Sequence, residues 1–209
     1  MARQLTYYFS LLSPWAYLGH GELGRIAAAH DVALDVRPVN LMELFGDTGG
    51  LPLPKRHPLR QAYRLVEMQR WRAARDVPLV LKPKHWPFDF KLADRAMLAA
   101  ARLAPQEQAH VLIAFAFRAI WVEERNLADV ETLAEVISAA GLDPETVLAL
   151  ARSPEVEAEH TANFDRAKAD GVFGSPSYVL DGEVFWGQDR LDMLESALAS
   201  GRAPFTAPV

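Results

Sequence analysis

The spacing of hydrophobic positions switches between two periods, dividing the chain into a strand-helix-strand opening, a long helical middle and a strand-strand-helix close. Leu5 to Phe9 is a short aromatic and apolar run that predicts a buried strand, and Trp15 to His30 carries Leu18, Leu23, Ile26 and Ala27 at helical spacing. In Val32 to Val39, Val32, Leu34, Val36 and Pro38 alternate with Ala33, Asp35, Arg37 and Val39, the period of a strand. A right-handed crossover sets two such strands parallel and brings the turn after Phe9 to the carboxyl edge of the sheet, where α/β folds bind ligands.

Residues 46 to 58 contain Gly49-Gly50 and Pro52, Pro54 and Pro58, which predict an extended loop able to reach over a pocket. Leu59 to Asp76 predicts an amphipathic helix, and Val77 to Asp89 is a Pro-punctuated segment holding His85-Trp86. From Phe90 to Asp170 the spacing predicts five helices, with breaks at Ala104-Pro105, Asn126 to Asp129, Gly141 to Pro144 and Ser153-Pro154. Asp129 and Asp143 suit N-caps, Ser153-Pro154 suits a cap followed by a first turn, and Phe115, Phe117 and Trp121 are expected to pack inside. Beyond Gly171 the period returns to two: Ser177 to Leu180, a turn at Asp181-Gly182 and Val184 to Trp186 predict a hairpin. Gln188 to Ala199 closes as a helix with Leu191, Leu194 and Leu198 on one face. No internal repeat is visible.

Composition narrows the chemistry. The chain has 209 residues, half of them hydrophobic, enough for its own core. A net charge of -5 with no basic stripe argues against nucleic acid as partner and favours a small molecule. With no cysteine, the protein has no disulfide, no thiolate metal site and no thiol nucleophile of its own, so thiol chemistry here needs a borrowed thiol. The histidines at 20, 30, 57, 85, 110 and 160 match no zinc spacing, so no metal is expected. Neither a signal peptide nor a membrane span is read from the sequence, and the expected location is the cytoplasm.

The main chemical candidate is Ser13, followed by Pro14-Trp15 where the first strand gives way to the first helix. A serine there can add its O–H to the partial positive charge of the free backbone N–H groups, which suits a bound anion such as a thiolate. The plainer alternative is an N-cap with proline at the first helical position and no chemistry. Leu11-Leu12-Ser13-Pro14-Trp15 is no nucleophile elbow, which argues against a serine hydrolase.

The order βαβ, helices, ββα is that of an α/β, thioredoxin-like fold with a large all-helical insertion, placing residues 1–57 and 171–209 in the thioredoxin-like domain and 58–170 in the insertion. Phe9 to Gly19 (FSLLSPWAYLG), Tyr63 to Trp71 (YRLVEMQRW), Trp121 to Asn126 (WVEERN) and Gly171 to Leu191 (GVFGSPSYVLDGEVFWGQDRL) resemble the 2-hydroxychromene-2-carboxylate isomerases and kappa-class glutathione transferases. That family is similar to the bacterial disulfide-oxidoreductase fold. The resemblance implies glutathione as cofactor, with Ser13 as the catalytic serine facing its sulfur. It also implies a cis-proline at Pro176, with the backbone of Ser175 meeting the cysteinyl part, and Gly187, Gln188, Asp189 and Arg190 near the γ-glutamyl end. The family's basic residue falls on Arg60, and its glycine-end Asn on Leu51. Tyr8-Phe9-Ser10 stands where the family often carries Phe-Asp-Phe. For a small aromatic carboxylate substrate, the resemblance puts His85 and Trp86 near the pocket, with Lys82, Lys84 or Arg60 as partners for its carboxylate. A homodimer is implied as well.

A thiol of pKa ~8.5 is a few per cent ionised at neutral pH, and one charge-assisted hydrogen bond of about 1.5–3 kcal/mol lowers that value by roughly one to two units. A serine that donates this bond needs no histidine base. The resemblance therefore implies a glutathione-dependent isomerase serving aromatic compound catabolism. Two alternatives stay open: a kappa-like transferase or peroxidase, which a stable conjugate would distinguish, and a non-catalytic binding protein, which the loss of the Asn equivalent at Leu51 would suit.

Overall fold

Arg3–Phe9 form the first strand, β1, and both of its faces are covered, which is why its sequence reads as an almost unbroken apolar run. Leu5, Tyr7 and Phe9 point into the larger core, while Tyr8 joins a smaller one on the opposite face. These assignments come from a computed structural model that describes residues 3–207; residues 1–2 and 208–209, the outer ends of the predicted thioredoxin-like segments, lie outside the described residues.

After β1 come α1 (Pro14–Ala29), β2 (Val32–Pro38), α2 (Leu41–Thr48) and α3 (Pro58–Ala74). Five helices follow, as the periodicity predicts: α4 (Lys91–Leu103), α5 (Gln106–Trp121), α6 (Val130–Ala139), α7 (Pro144–Ala151) and α8 (Pro154–Ala169). The hairpin β3 (Ser177–Leu180) and β4 (Glu183–Trp186) leads to α9 (Leu191–Ser200). Asp129, Asp143 and Ser153 each cap their helix by accepting a backbone N–H, as expected of their positions.

The sheet has the order β2-β1-β3-β4. β1 runs parallel to β2, with Leu5 opposite Leu34, and antiparallel to β3, with Tyr7 opposite Tyr178. Leu23 and Ile26 of α1 and Leu191 and Leu194 of α9 pack on the face that Leu5, Tyr7 and Phe9 present. Leu44 of α2 and Ala167 of α8 meet Tyr8 and Val179 on the other. This is the expected α/β thioredoxin-type arrangement, with helices inserted between β2 and β3.

Three expectations need correction. The stretch 46–58 is not loop throughout: α2 extends to Thr48, capped by the Asn40 side chain and ended by Gly49 in the left-handed region, and a 3-10 turn spans Leu53–Lys55. Phe117 and Trp121 are buried, but Phe115 remains 38% exposed because it falls on the outer face of α5. The closing helix does not begin at Gln188; Gln188–Arg190 form a 3-10 turn, and α9 starts at Leu191.

Candidate active site

Ser13 is the N-cap of α1, with extended backbone angles and only 2% exposure. Its Oγ accepts from the N–H of Ala16 at 3.2 Å and donates to the carbonyl oxygen of Ser175 at 3.0 Å. The cap uses one lone pair of the hydroxyl and the Ser175 carbonyl takes its proton, so the O–H reaches a ligand only by turning from that carbonyl. The turn before it is held by Ser10: Ser13 N donates to Ser10 O at 2.9 Å, and Ser10 N donates to Ser175 Oγ at 2.9 Å. The end of β1 is thereby locked to the Ser175-Pro176 peptide, which is cis.

Pro176 in turn fixes the next wall. Its carbonyl accepts from Gly187 N at 2.9 Å, and Gly187 has φ +101°, a conformation that favours glycine. The following 3-10 turn is gripped by Arg75 at the end of α3, whose Nε donates to Gln188 Oε1 at 3.3 Å and Nη2 to Gln188 O at 3.2 Å. Gln188 is buried, with its Cβ against Gly19 of α1, where an added methyl would lie 2.6 Å away. Asp189 and Arg190 pair with each other at 2.9 Å.

Ser13, Ser175 and residues 187–190 line a cavity of about 660 Å³. Its walls are mostly apolar, with Phe45 of α2, Trp71 of α3, and Trp86, Phe88 and Phe90 from the segment before α4. Trp86 is pinned beside the serine, its Nε1–H donating to the carbonyl of Leu12 at 3.0 Å, and the Trp86-Pro87 peptide is cis. Volume, apolar lining and a few convergent polar groups make this the default binding site of the molecule.

The structure gathers most of the residues singled out from the sequence. Ser13, Trp86, Ser175, Gly187, Gln188, Asp189 and Arg190 all line the cavity, and Pro176 shapes its edge. His85 does not; it is exposed in the turn that Trp86 N–H closes on the Pro83 carbonyl, while Trp86 itself faces the cavity. Arg60, Lys82 and Lys84 are also exposed and outside the lining, and Leu51 is 54% exposed. Besides Arg190, the cations that reach the cavity are Arg56 and Arg64. Burial, followed by the nearby Arg56 charge, pushes the Arg64 guanidinium down to about 10. Arg64, Glu67 and Trp71 share one face of α3 at i, i+3 and i+7; Arg60, four residues before Arg64, lies on the same face but in the first turn of the helix, outside the cavity lining.

The chain resembles characterised proteins over nearly its whole length. The DSBA-like thioredoxin domain family matches residues 4–199. A 2-hydroxychromene-2-carboxylate isomerase of Sphingobium xenophagum is 29% identical over 207 residues, 95% of this chain and 99% of that protein. Glutathione S-transferase kappa 1 of Homo sapiens is 22% identical, over 95% of this chain and 92% of its own. A solved 2-hydroxychromene-2-carboxylate isomerase superimposes with a TM-score of 0.82 at 25% identity, covering 94% of this chain and 95% of that one.

Proposed function

The chain belongs to the DSBA-like thioredoxin domain family, and from that premise we propose that it is a glutathione-dependent isomerase of the 2-hydroxychromene-2-carboxylate type, acting on a small aromatic carboxylate. The observation that carries the reading is the Ser13 hydroxyl: buried, fixed in place by the helix cap and the Ser175 carbonyl, and open to a large apolar cavity. A thioredoxin-type scaffold without any cysteine cannot exchange disulfides, so a thiol must come from a ligand.

The residues present fit glutathione. Ser13 would hold the sulfur by turning its O–H from the Ser175 carbonyl, the Ser175 backbone would meet the cysteinyl unit as a strand edge does, and the Gln188–Arg190 turn would receive the γ-glutamyl end. Asp189 offers a carboxylate for the ammonium there. When bound, glutathione supplies a sulfur nucleophile that adds reversibly to an unsaturated substrate and is regenerated. Ser13 stabilises the negative charge on that sulfur by about 1.5–3 kcal/mol, which raises the thiolate fraction at neutral pH from a few per cent to a substantial share. Trp86, Phe88 and Phe90 would shield the serine from water and give an aromatic ring apolar surface to rest on.

A calorimetric titration with glutathione, followed by an absorbance assay of 2-hydroxychromene-2-carboxylate with and without the tripeptide, tests this. Expected are binding and tripeptide-dependent conversion with no thiol consumed. Absence of binding, or conversion that ignores the tripeptide, overturns it. A conjugating transferase is the second reading, supported by the kappa-class relative; a stable thioether product would select it.

A further inference from the structure

The charged groups lining the cavity do not balance. Asp189 is paired with Arg190, and Glu67 with Arg70, but Arg56 and Arg64 have no carboxylate within 4.0 Å among the described residues. Arg56 is partly satisfied, since its Nε donates to the carbonyl of Leu51 at 2.7 Å and its guanidinium lies 5.5 Å from the Phe45 ring centre. Arg64 has no hydrogen-bond acceptor among the described residues. Its guanidinium sits 5.7 Å from the Trp86 ring centre, and Trp86 is bonded to Leu12, the residue next to Ser13.

A half-buried guanidinium without a counter-ion is a ready partner for an anionic ligand. A planar fork held near an aromatic ring suits a carboxylate attached to another ring, which can lie along the tryptophan while both oxygens meet the fork. We propose that Arg64 is the specificity-determining residue of this cavity, selecting an aromatic ligand for its carboxylate, with Trp86 as the platform for the ring. The proposal rests on the isomerase reading for the identity of that ligand as second substrate. The selection itself follows from Arg64, Trp86 and the cavity. Arg56 adds attraction from the side and is secondary, because Leu51 already holds it.

The test uses trans-cinnamate and its methyl ester as probes of the full-length protein, followed by quenching of tryptophan fluorescence, with glutathione titrated separately. Wild type binds the acid about 10- to 100-fold more tightly than the ester, the worth of one charge-assisted bidentate pair. Arg64→Leu removes that preference, Arg64→Lys keeps part of it, and glutathione affinity stays within about threefold in both, with folding checked by circular dichroism. Lysine keeps the charge without the fork, and it covers the case in which the leucine variant does not fold. Equal binding of acid and ester by wild type overturns the proposal, as does a preference that survives in Arg64→Leu or, if that variant does not fold, one left undiminished in Arg64→Lys. A parallel loss of glutathione affinity also overturns it, by making Arg64 a tripeptide contact. Selective binding of cinnamate by a wild type that ignores glutathione sinks the isomerase reading and leaves the role of Arg64 standing.

Discussion

The Ser13 hydroxyl donates to the carbonyl of Ser175 over 3.0 Å, joining the first turn of α1 to the peptide before Pro176 across 162 residues of sequence. The same oxygen caps the helix through Ala16 N. Ser13→Ala therefore has two separable effects. Losing the cap costs about 1 kcal/mol, or roughly 2–4 °C in melting temperature for a chain of this size. Losing the O–H raises the pKa of bound glutathione by about one to two units, read from thiolate absorbance, and lowers turnover roughly 10- to 100-fold. Wild-type turnover at saturating tripeptide would falsify the assigned role.

Arg75 positions the turn at Gln188 without lining the cavity itself. Arg75→Met frees the Gln188 carbonyl and side chain, so the tripeptide should bind about tenfold more weakly while the rate at saturation changes little. Steady-state kinetics over a range of glutathione concentrations separates the two. A fall in maximal rate with unchanged affinity would contradict a positioning role at this end of the ligand.

Gly19 lets α1 approach that turn closely. A Cβ there would lie 2.6 Å from Gln188 Cβ and 3.0 Å from the Tyr178 hydroxyl. Gly19→Ala is expected to cost about 1–3 kcal/mol by overpacking and to weaken glutathione binding as Gln188 is displaced. Gly21, with open space around its Cβ position, is the control: Gly21→Ala should stabilise the helix slightly. Denaturant melts of both variants decide the matter, and equal effects would refute the close-approach account.

His20 and His110 stack with ring centres 3.8 Å apart in the interface between α1 and α5. Burial holds both imidazoles below the usual value of 6.5, and the charge of His110 adds to the lowering at His20. The unfolded chain protonates them near pH 6.5 and the folded chain does not, so their stability contribution is complete above that pH and falls below it. The loss reaches up to ~1.4 kcal/mol per histidine per pH unit. Asp94 works in the opposite sense: burial raises its carboxyl to about 6 from 3.8, with His160 partly countering, so the folded chain gains a proton first and recovers stability between those values. Urea titrations should therefore show stability dropping as pH falls below about 6.5 and then dropping less steeply below about 6. His110→Phe should shallow the first drop. A flat profile over this range would rule out neutral buried imidazoles.

Much of this was legible in the sequence because the signals are local and strong. Strand alternation in Val32–Pro38, the Asp181-Gly182 turn and proline or aspartate at helix starts all report their element directly. α2 escaped because it is eight residues long and ends among glycines, so that loop composition outweighed the cap at Asn40. Of the candidate site, Ser13 was legible from its place at a strand-to-helix turn, and Pro176 and Gly187 only through the family resemblance. The site was not legible in its cations, since Arg56, Arg60 and Arg64 are chemically alike and only the folded chain brings Arg56, before α3, and Arg64, within it, to the cavity while leaving Arg60 outside.

The cavity wall draws on Leu12 and on Arg190, residues far apart in sequence. During synthesis, then, no growing chain can close the whole cavity around its ligand until Arg190 has left the ribosome. Ligand supplied in the cell can protect the finished protein by mass action, but it cannot template the early stages of its folding.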